Sequence, residues 1–174
     1  EAKKRRSEEA KSEEVRHMDV RVISIGTMAA HPLWGERTAV RTGHSTTTLL
    51  SRGERHILVD PGLPASALAA RLGERANLTP PDITDVFLTS FHPEVRRALT
   101  AFDSATWWIH EAEREHVGVA LAQQLIALKN KGESDAELLA ALESDVAILR
   151  RCKAAPEELA EHVAKELGID LAPM

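Results

Sequence analysis

The residues best suited to chemistry lie in one short run, Ser90-Phe91-His92-Pro93-Glu94-Val95. His92 and Glu94 put an imidazole and a carboxylate two positions apart, and both can ligate a divalent metal. A hydrolytic zinc centre needs about three protein ligands and an open position for water. The metal then lowers the pKa of that water toward neutrality and makes hydroxide available. One imidazole and one carboxylate cannot supply that affinity alone. Two other histidines are candidates to complete the set. His31 lies in the loop Ala30-His31-Pro32, and His44 precedes a β-branched run. Both can approach the end of the sheet where His92 is expected, so the candidate metal set is His31, His44, His92 and Glu94. The plainer reading treats them as loop histidines on a polar surface.

Other reactive groups are less suggestive. Ser90 and His92 would point the same way on a strand, but no nucleophile-elbow glycine pattern surrounds Ser90. Asp60, before Pro61-Gly62, reads first as a turn-former. Asp60 and Ser90 are therefore expected to be structural groups near the site. Cys152 is the one cysteine, which excludes an internal disulfide framework and suits a reducing compartment. It falls on an expected helix beside Arg150 and Arg151, where nearby cations would favour its thiolate. A small half-buried side chain is the ordinary alternative. His110 and His116 are six apart at the start of a helix and share no face. His162 falls on the polar side of the last expected helix.

The elements that would position these groups follow from the pattern. Val20, Val22 and Ile25 lie in a β-branched run that stops at Gly26. Thr46 to Leu50 is a second strand, Ser51 to Arg55 with Gly53 a hairpin turn, and His56 to Asp60 the returning strand, closed by Pro61-Gly62. Pro64 to Leu72 is a short helix with Leu68 and Leu72 four apart, and Gly73 is its natural stop. Thr79 to Asp82 is a loop, Val86 to Thr89 a buried strand, and Thr106 to Ile109 a further strand. Of Trp107 and Trp108, one should enter the core and the other face outward; Trp34 could line a pocket. No convincing strand follows Ile109. Instead Val117, Leu121, Leu125 and Leu128 make one helical face ending near Gly132. Ser134 with Glu137 makes a capping box, and Leu138, Leu142, Val146 and Leu149 make a second face. Pro156 opens a third helix, with Leu159, Val163 and Leu167 inward and Gly168 at its end.

Composition sets the class. The chain has 174 residues, 43% hydrophobic and 28% charged, with a net charge of −5. That is a globular chain long enough for a core. It lacks the basic surplus of a nucleic-acid or anionic-membrane binder. No apolar run approaches the roughly 18 residues a membrane span needs, and no signal peptide is visible. A cytoplasmic location is expected. Glu1 to Arg16 is almost wholly Glu, Lys, Arg, Ser and Ala and has no apolar face. His17-Met18 resembles a cloning junction, so Met18 is expected to be the natural start. Three regions result: 1–18, a charged leader or cloning-derived segment; 19–118, an α/β region; and 119–174, a helical region packing on the sheet or on a partner.

The order of Gly43-His44-Ser45-Thr46-Thr47-Thr48-Leu49-Leu50, Ile57-Leu58-Val59-Asp60-Pro61-Gly62 and Pro81-Asp82-Ile83-Thr84-Asp85-Val86-Phe87-Leu88-Thr89 resembles the first half of metallo-β-lactamase-fold hydrolases. Thr106-Trp107-Trp108-Ile109-His110-Glu111-Ala112-Glu113 continues the likeness. The resemblance implies a half-sandwich: a mixed β-sheet covered by helices, with an all-helical C-terminal part in place of the second half. In that family the strand before Ser90 runs into His-x-His-x-Asp-His. Here Ser90 stands for the first histidine, His92 keeps the second, Glu94 replaces the aspartate and Val95 the last histidine. The family's later histidine, bridging aspartate and final histidine have no counterpart after Ile109. The aspartate corresponding to Asp60 mostly holds loops there. The implied reading is a domain with an eroded metal site, non-catalytic or atypical, that binds a small molecule or a protein. The alternative is a diverged metal-dependent hydrolase for esters, lactones or phosphodiesters, with a mononuclear site around His92. No cofactor is expected under the first reading; zinc or another divalent metal is required by the second. A half-sandwich exposes a sheet face and edge, so a homodimer through the helical half or sheet edge is a further expectation. The ending Leu171-Ala172-Pro173-Met174 is compatible with a piece of a longer hydrolase.

Overall fold

The computed structural model describes residues 18–131 and 136–155, which form parts of two compact units, Glu1–Thr106 and Trp107–Met174. In the first unit, β1 (Asp19–Ser24), β2 (Thr47–Arg52) and β3 (Arg55–Val59) form an antiparallel meander. The β2–β3 hairpin turns at Gly53-Glu54, with Gly53 at φ 59°. A hairpin whose strands twist to the right favours positive φ at the turn, which glycine adopts without strain. Between Val22 and Ser24 the β1–β2 register shifts by a bulge, which lets Ile23 and Ser24 be buried while Val20 and Val22 stay exposed.

β4 (Asp85–Leu88) pairs parallel to β3, with Ile57 opposite Asp85 and Val59 opposite Phe87. Parallel neighbours need a crossover, and α1 (Ala65–Ala76) supplies it. Leu68 and Leu72 share one face at the i, i+4 spacing and are fully buried with Ile23, Leu49, Leu58, Val86 and Leu88. Arg55, itself largely exposed, reaches the buried Asp85 carboxylate at 3.1 Å. The buried charge thus has a partner at the sheet's near end.

α1 runs past Gly73, against the expectation that this glycine stops it. The stop is Asn77, left-handed at φ 55°, whose N–H donates to the carbonyls of Gly73 and Leu72. Asparagine is among the few residues that tolerate this conformation. The extra turn is held from outside the helix: Arg21 donates to the Arg75 carbonyl, and Arg75 donates to the Val22 carbonyl. Gly73 is exposed, and an added Cβ there would meet nothing within 4 Å. Gly73→Ala is therefore expected to stabilise the protein by about 0.5–1 kcal/mol through helix propensity. Urea denaturation checks this; a loss of stability would contradict it.

In the second unit, β5 (Thr106–His110) leads directly into α3 (Glu111–Lys131), followed by α4 (Ala136–Arg151). The four-residue α2 (Pro93–Arg96) belongs to the first unit. The His110 ring nitrogen accepts the Ala112 N–H at 3.2 Å, satisfying a free donor of the first turn of α3. Leu121, Leu142 and Leu149 are buried, whereas Leu138, expected on the inner stripe, is exposed. Trp107 is buried and Trp108 half-buried, as the alternation requires.

The expectation of no strand after Ile109 is overturned by β6 (Lys153–Ala155), which pairs parallel to β5 with Trp108 opposite Lys153 and His110 opposite Ala155. Three residues, two of them alanine, carry no readable alternation, so only the pairing defines this strand. Cys152 falls just after α4 rather than on it, and is buried. Beside it, the Arg151 guanidinium sits 3.7 Å from the centre of the Trp107 ring. Ser134 of the expected capping box and the helix expected from Pro156 to Gly168, His162 included, lie outside the described residues. So does the leader before Met18. Among the described residues, no helix is long and apolar enough to cross a membrane.

Candidate functional site

β4 ends at Leu88, and the chain bends through Thr89 and Ser90 into α2 (Pro93–Arg96). Proline at the first helical position loses no needed donor and has the right φ. His92 is the N-cap, its Nδ1 accepting the Glu94 N–H at 3.4 Å. Ser90 and His92 are therefore not on a strand. The Ser90 hydroxyl accepts the His92 N–H at 3.4 Å, a hydrogen bond of turn geometry rather than a nucleophile-to-base contact.

Main-chain bonds fix this turn to the rest of the unit. The Ser45 N–H donates to the Glu94 carbonyl at 3.0 Å, and the Ala98 N–H to the Pro61 carbonyl at 2.9 Å. Arg97 donates to the Gly43 carbonyl at 3.2 Å. On the facing side, Thr27 and His44 exchange backbone bonds at 2.9 and 3.0 Å, and the Gly26 N–H donates to the Thr46 hydroxyl. The result is an open cleft of about 630 Å³. Its polar walls are His44, Ser45, Thr46, Ser90, His92 and Glu94; Met28 and Val95 supply apolar surface.

Of the four candidate ligands, His44, His92 and Glu94 line this cleft. His31 does not. It caps a 3-10 turn at Pro32–Trp34, stacks on Trp34 at 4.5 Å between ring centres, and donates its N–H to Glu36. Glu36 in turn pairs with Arg41, which lies over the other partner of the stack, Trp34. The proline and tryptophan after His31 draw it into a local cluster. That pull depends on side-chain contacts that motif spacing does not report. Trp34 itself is 70% exposed and is absent from the cleft wall.

The ring hydrogen bonds assign opposite roles to the two cleft histidines. His92 accepts at Nδ1, so its neutral ring carries the proton on Nε2 and is a donor there. The His44 Nδ1 faces the Ser45 carbonyl at 3.0 Å, so it donates, and the lone pair of the neutral ring is on Nε2. Glu94 packs against backbone: a Cβ on Gly43 would fall 2.3 Å from its Oε1. Among the described residues, no three or more His, Cys, Asp or Glu side chains are grouped to hold a metal. His44, His92 and Glu94 are donor types found in three-ligand zinc centres, but as placed they are not gathered around one point.

Asp60 stands behind the cleft wall. It is left-handed at φ 54° and buried. Its Oδ1 accepts the Thr89 N–H at 2.8 Å and its Oδ2 the Thr89 hydroxyl at 2.6 Å, while its carbonyl accepts from Thr47. Burial pushes its carboxyl above the usual aspartate range, opposed by the two Thr89 donors. These contacts give Asp60 a positioning role: it ties β3 to the Thr89–Ser90 bend that starts the cleft.

The residues that motif spacing missed are three glycines, Gly26, Gly43 and Gly62. A Cβ on Gly26 would come within 2.9 Å of the Thr46 nitrogen and His44 oxygen. On Gly62 it would come within 2.2 Å of the Glu94 carbonyl and 2.8 Å of the Ser45 nitrogen. The sequence signals, the strand stop at Gly26 and the turn at Pro61-Gly62, pointed to ends of strands rather than close packing of backbone.

Comparison with known proteins gives the family context. The profile of the metallo-beta-lactamase superfamily matches residues 40–148, more than half the chain. A Thermotoga maritima protein whose name places it among the metallo-beta-lactamases is 30% identical, with a TM-score of 0.46 over 55% of this chain and 44% of its own. AidC, a dizinc quorum-quenching lactonase, is 23% identical, with a TM-score of 0.48 over 64% of this chain and 42% of its own. A Staphylococcus aureus protein titled a probable metal-dependent hydrolase is 18% identical, with a TM-score of 0.43 over 59% of this chain and 50% of its own. The chain thus spans half or less of the length of these structures. No curated protein matches the sequence.

Proposed function

Because the chain belongs to the metallo-beta-lactamase superfamily, we propose that it is a hydrolase-like domain whose cleft binds a small polar molecule without the superfamily's usual metal centre. The observation that carries this reading is the cleft wall itself, where Ser90 and Val95 stand beside His92 and Glu94 and offer a hydroxyl and an apolar surface in place of further imidazoles. A volume of about 630 Å³ falls in the range of small-molecule sites, roughly 300–1,000 Å³. The walls offer an imidazole donor at His92, an imidazole acceptor at His44, hydroxyls at Ser45, Thr46 and Ser90, and the Glu94 carboxylate. A neutral or cationic polar ligand suits that set, since Glu94 disfavours an anion.

A second reading is favoured by one fact: His44, His92 and Glu94 share the same cleft. Under it the protein is a diverged metal-dependent hydrolase, and these three side chains would hold one divalent ion after local adjustment. The ion would supply an activated water.

Elemental analysis of protein purified without chelator separates the two readings. The expected result is far less than one equivalent of zinc, iron or manganese per chain, unchanged in His92→Ala. Near-stoichiometric metal that is lost in His92→Ala would overturn the binding-module reading and establish the hydrolase one.

A further inference from the structure

A second cleft lies within the helical unit, on α3 and α4. Its volume is about 530 Å³, and it is lined by Arg114, Glu115, Gly118, Val119, Ala122, Leu149 and Arg150. Its floor is apolar. Arg114, Gly118 and Ala122 follow the i, i+4, i+8 rule and so share one stripe of α3. Gly118 lies inside a helix of 21 residues, where glycine costs helix stability relative to alanine. The space above it is open: an added Cβ would meet only a Leu149 methyl, at 3.7 Å. Nothing in the helix packing requires glycine there, and what its missing side chain provides is the depth of the cleft.

The rim is cationic. Arg114 and Arg150 both line the cleft, and neither is paired with a carboxylate among the described residues. Two arginines lining one cavity favour an anion, and guanidinium matches carboxylate in a two-point hydrogen-bonding geometry. Glu115 on the same rim reduces that preference without cancelling it. The volume suits a small molecule rather than a docked helix or sheet.

From these features we infer that this cleft is a binding site for an amphipathic monocarboxylate, a molecule with one carboxylate head and a short aliphatic body. The head pairs with Arg114 and Arg150, and the body lies on Gly118, Val119, Ala122 and Leu149.

The test is titration of the full chain with decanoate below its micellar concentration, followed by calorimetry. One saturable equivalent is expected. Arg114→Gln with Arg150→Gln should weaken it at least tenfold, while decanol should bind no better to the wild type than to that variant. Gly118→Leu should abolish binding by filling the floor, with the melting temperature unchanged or raised, so that loss of binding cannot be assigned to unfolding. His92→Ala should leave decanoate binding unchanged, which keeps this site separate from the first cleft. Absence of saturable binding, or binding insensitive to the arginine pair and to Gly118→Leu, would overturn the inference. Binding by an acidic peptide in preference to decanoate would overturn it in favour of a protein partner.

Discussion

Gly62→Ala is expected to cost about 3 kcal/mol of stability, the upper part of the usual range for overpacking, and to lower the melting temperature by roughly 10 °C. The added methyl would sit 2.2 Å from the Glu94 carbonyl oxygen and 2.8 Å from the Ser45 nitrogen, and both are backbone. Those two residues are themselves hydrogen-bonded to each other at 3.0 Å. A flexible side chain could swing aside; this pair can separate only by breaking its bond and moving α2. The cleft should open along with the loss of stability. Thermal denaturation together with amide exchange at Ser45 tests both halves of the expectation. A loss below about 1 kcal/mol, with Ser45 still protected, would mean that the α2 turn adapts more freely than its contacts suggest.

Asp60→Ala is expected to be comparably damaging, at about 3–4 kcal/mol. Alanine at φ 54° meets the left-handed penalty of about 1–2 kcal/mol. Thr89 also loses a charged acceptor for its N–H and hydroxyl, at about 1.5–3 kcal/mol for such bonds. Asp60→Asn should cost less, because asparagine tolerates the backbone conformation and keeps an acceptor for the Thr89 N–H. The pH dependence has a definite sign. Burial raises the folded-state pKa above 3.8, so the native state binds the proton more tightly than the unfolded chain. The stability Asp60 contributes is then fullest below 3.8 and declines as pH rises through the raised value. The stability of wild type minus that of Asp60→Asn should therefore be largest in acid and shrink toward neutrality. Urea unfolding from about pH 3 to pH 7 measures it. A difference that grows with pH would show that the Thr89 donors outweigh burial.

Much of the first unit was legible in the sequence because its signals are local. The run Thr46 to Leu50, the glycine at position 53 and the run ending in Val59 specify a hairpin by turn chemistry and strand propensity alone. Leu68 and Leu72 specify the face of α1. The likeness of residues 43–62 and 81–113 to one family was likewise carried by residue order, and the superfamily profile covers both stretches entirely. What escaped depends on partners distant in sequence. Asn77 replaces Gly73 as the helix stop because Arg21 and Arg75 bind the last turn to β1. β6 exists through its pairing with β5, since Lys153-Ala154-Ala155 carries no strand signal of its own. In the candidate site, His44, His92 and Glu94 converge because the two loops bearing them meet. His31 has the same residue type and a similar loop position, but its neighbours Trp34 and Glu36 hold it elsewhere.

Three of the bonds that hold the first cleft together run from main chain to main chain or end on a main-chain carbonyl: Ser45 to Glu94, Ala98 to Pro61, Arg97 to Gly43. Of the side chains at positions 90, 92, 94 and 95, Ser90 and His92 add two bonds of 3.4 Å each, accepting the N–H groups of His92 and Glu94. Shape and reactivity are thus separable traits in this molecule. Changes at those four positions can exchange one chemistry for another while the main-chain bonds stay in place, whereas a single methyl group at position 26 or 62 meets backbone atoms closer than 3.0 Å. Lineages that lose a reaction here would keep the vessel that held it, open to a different use.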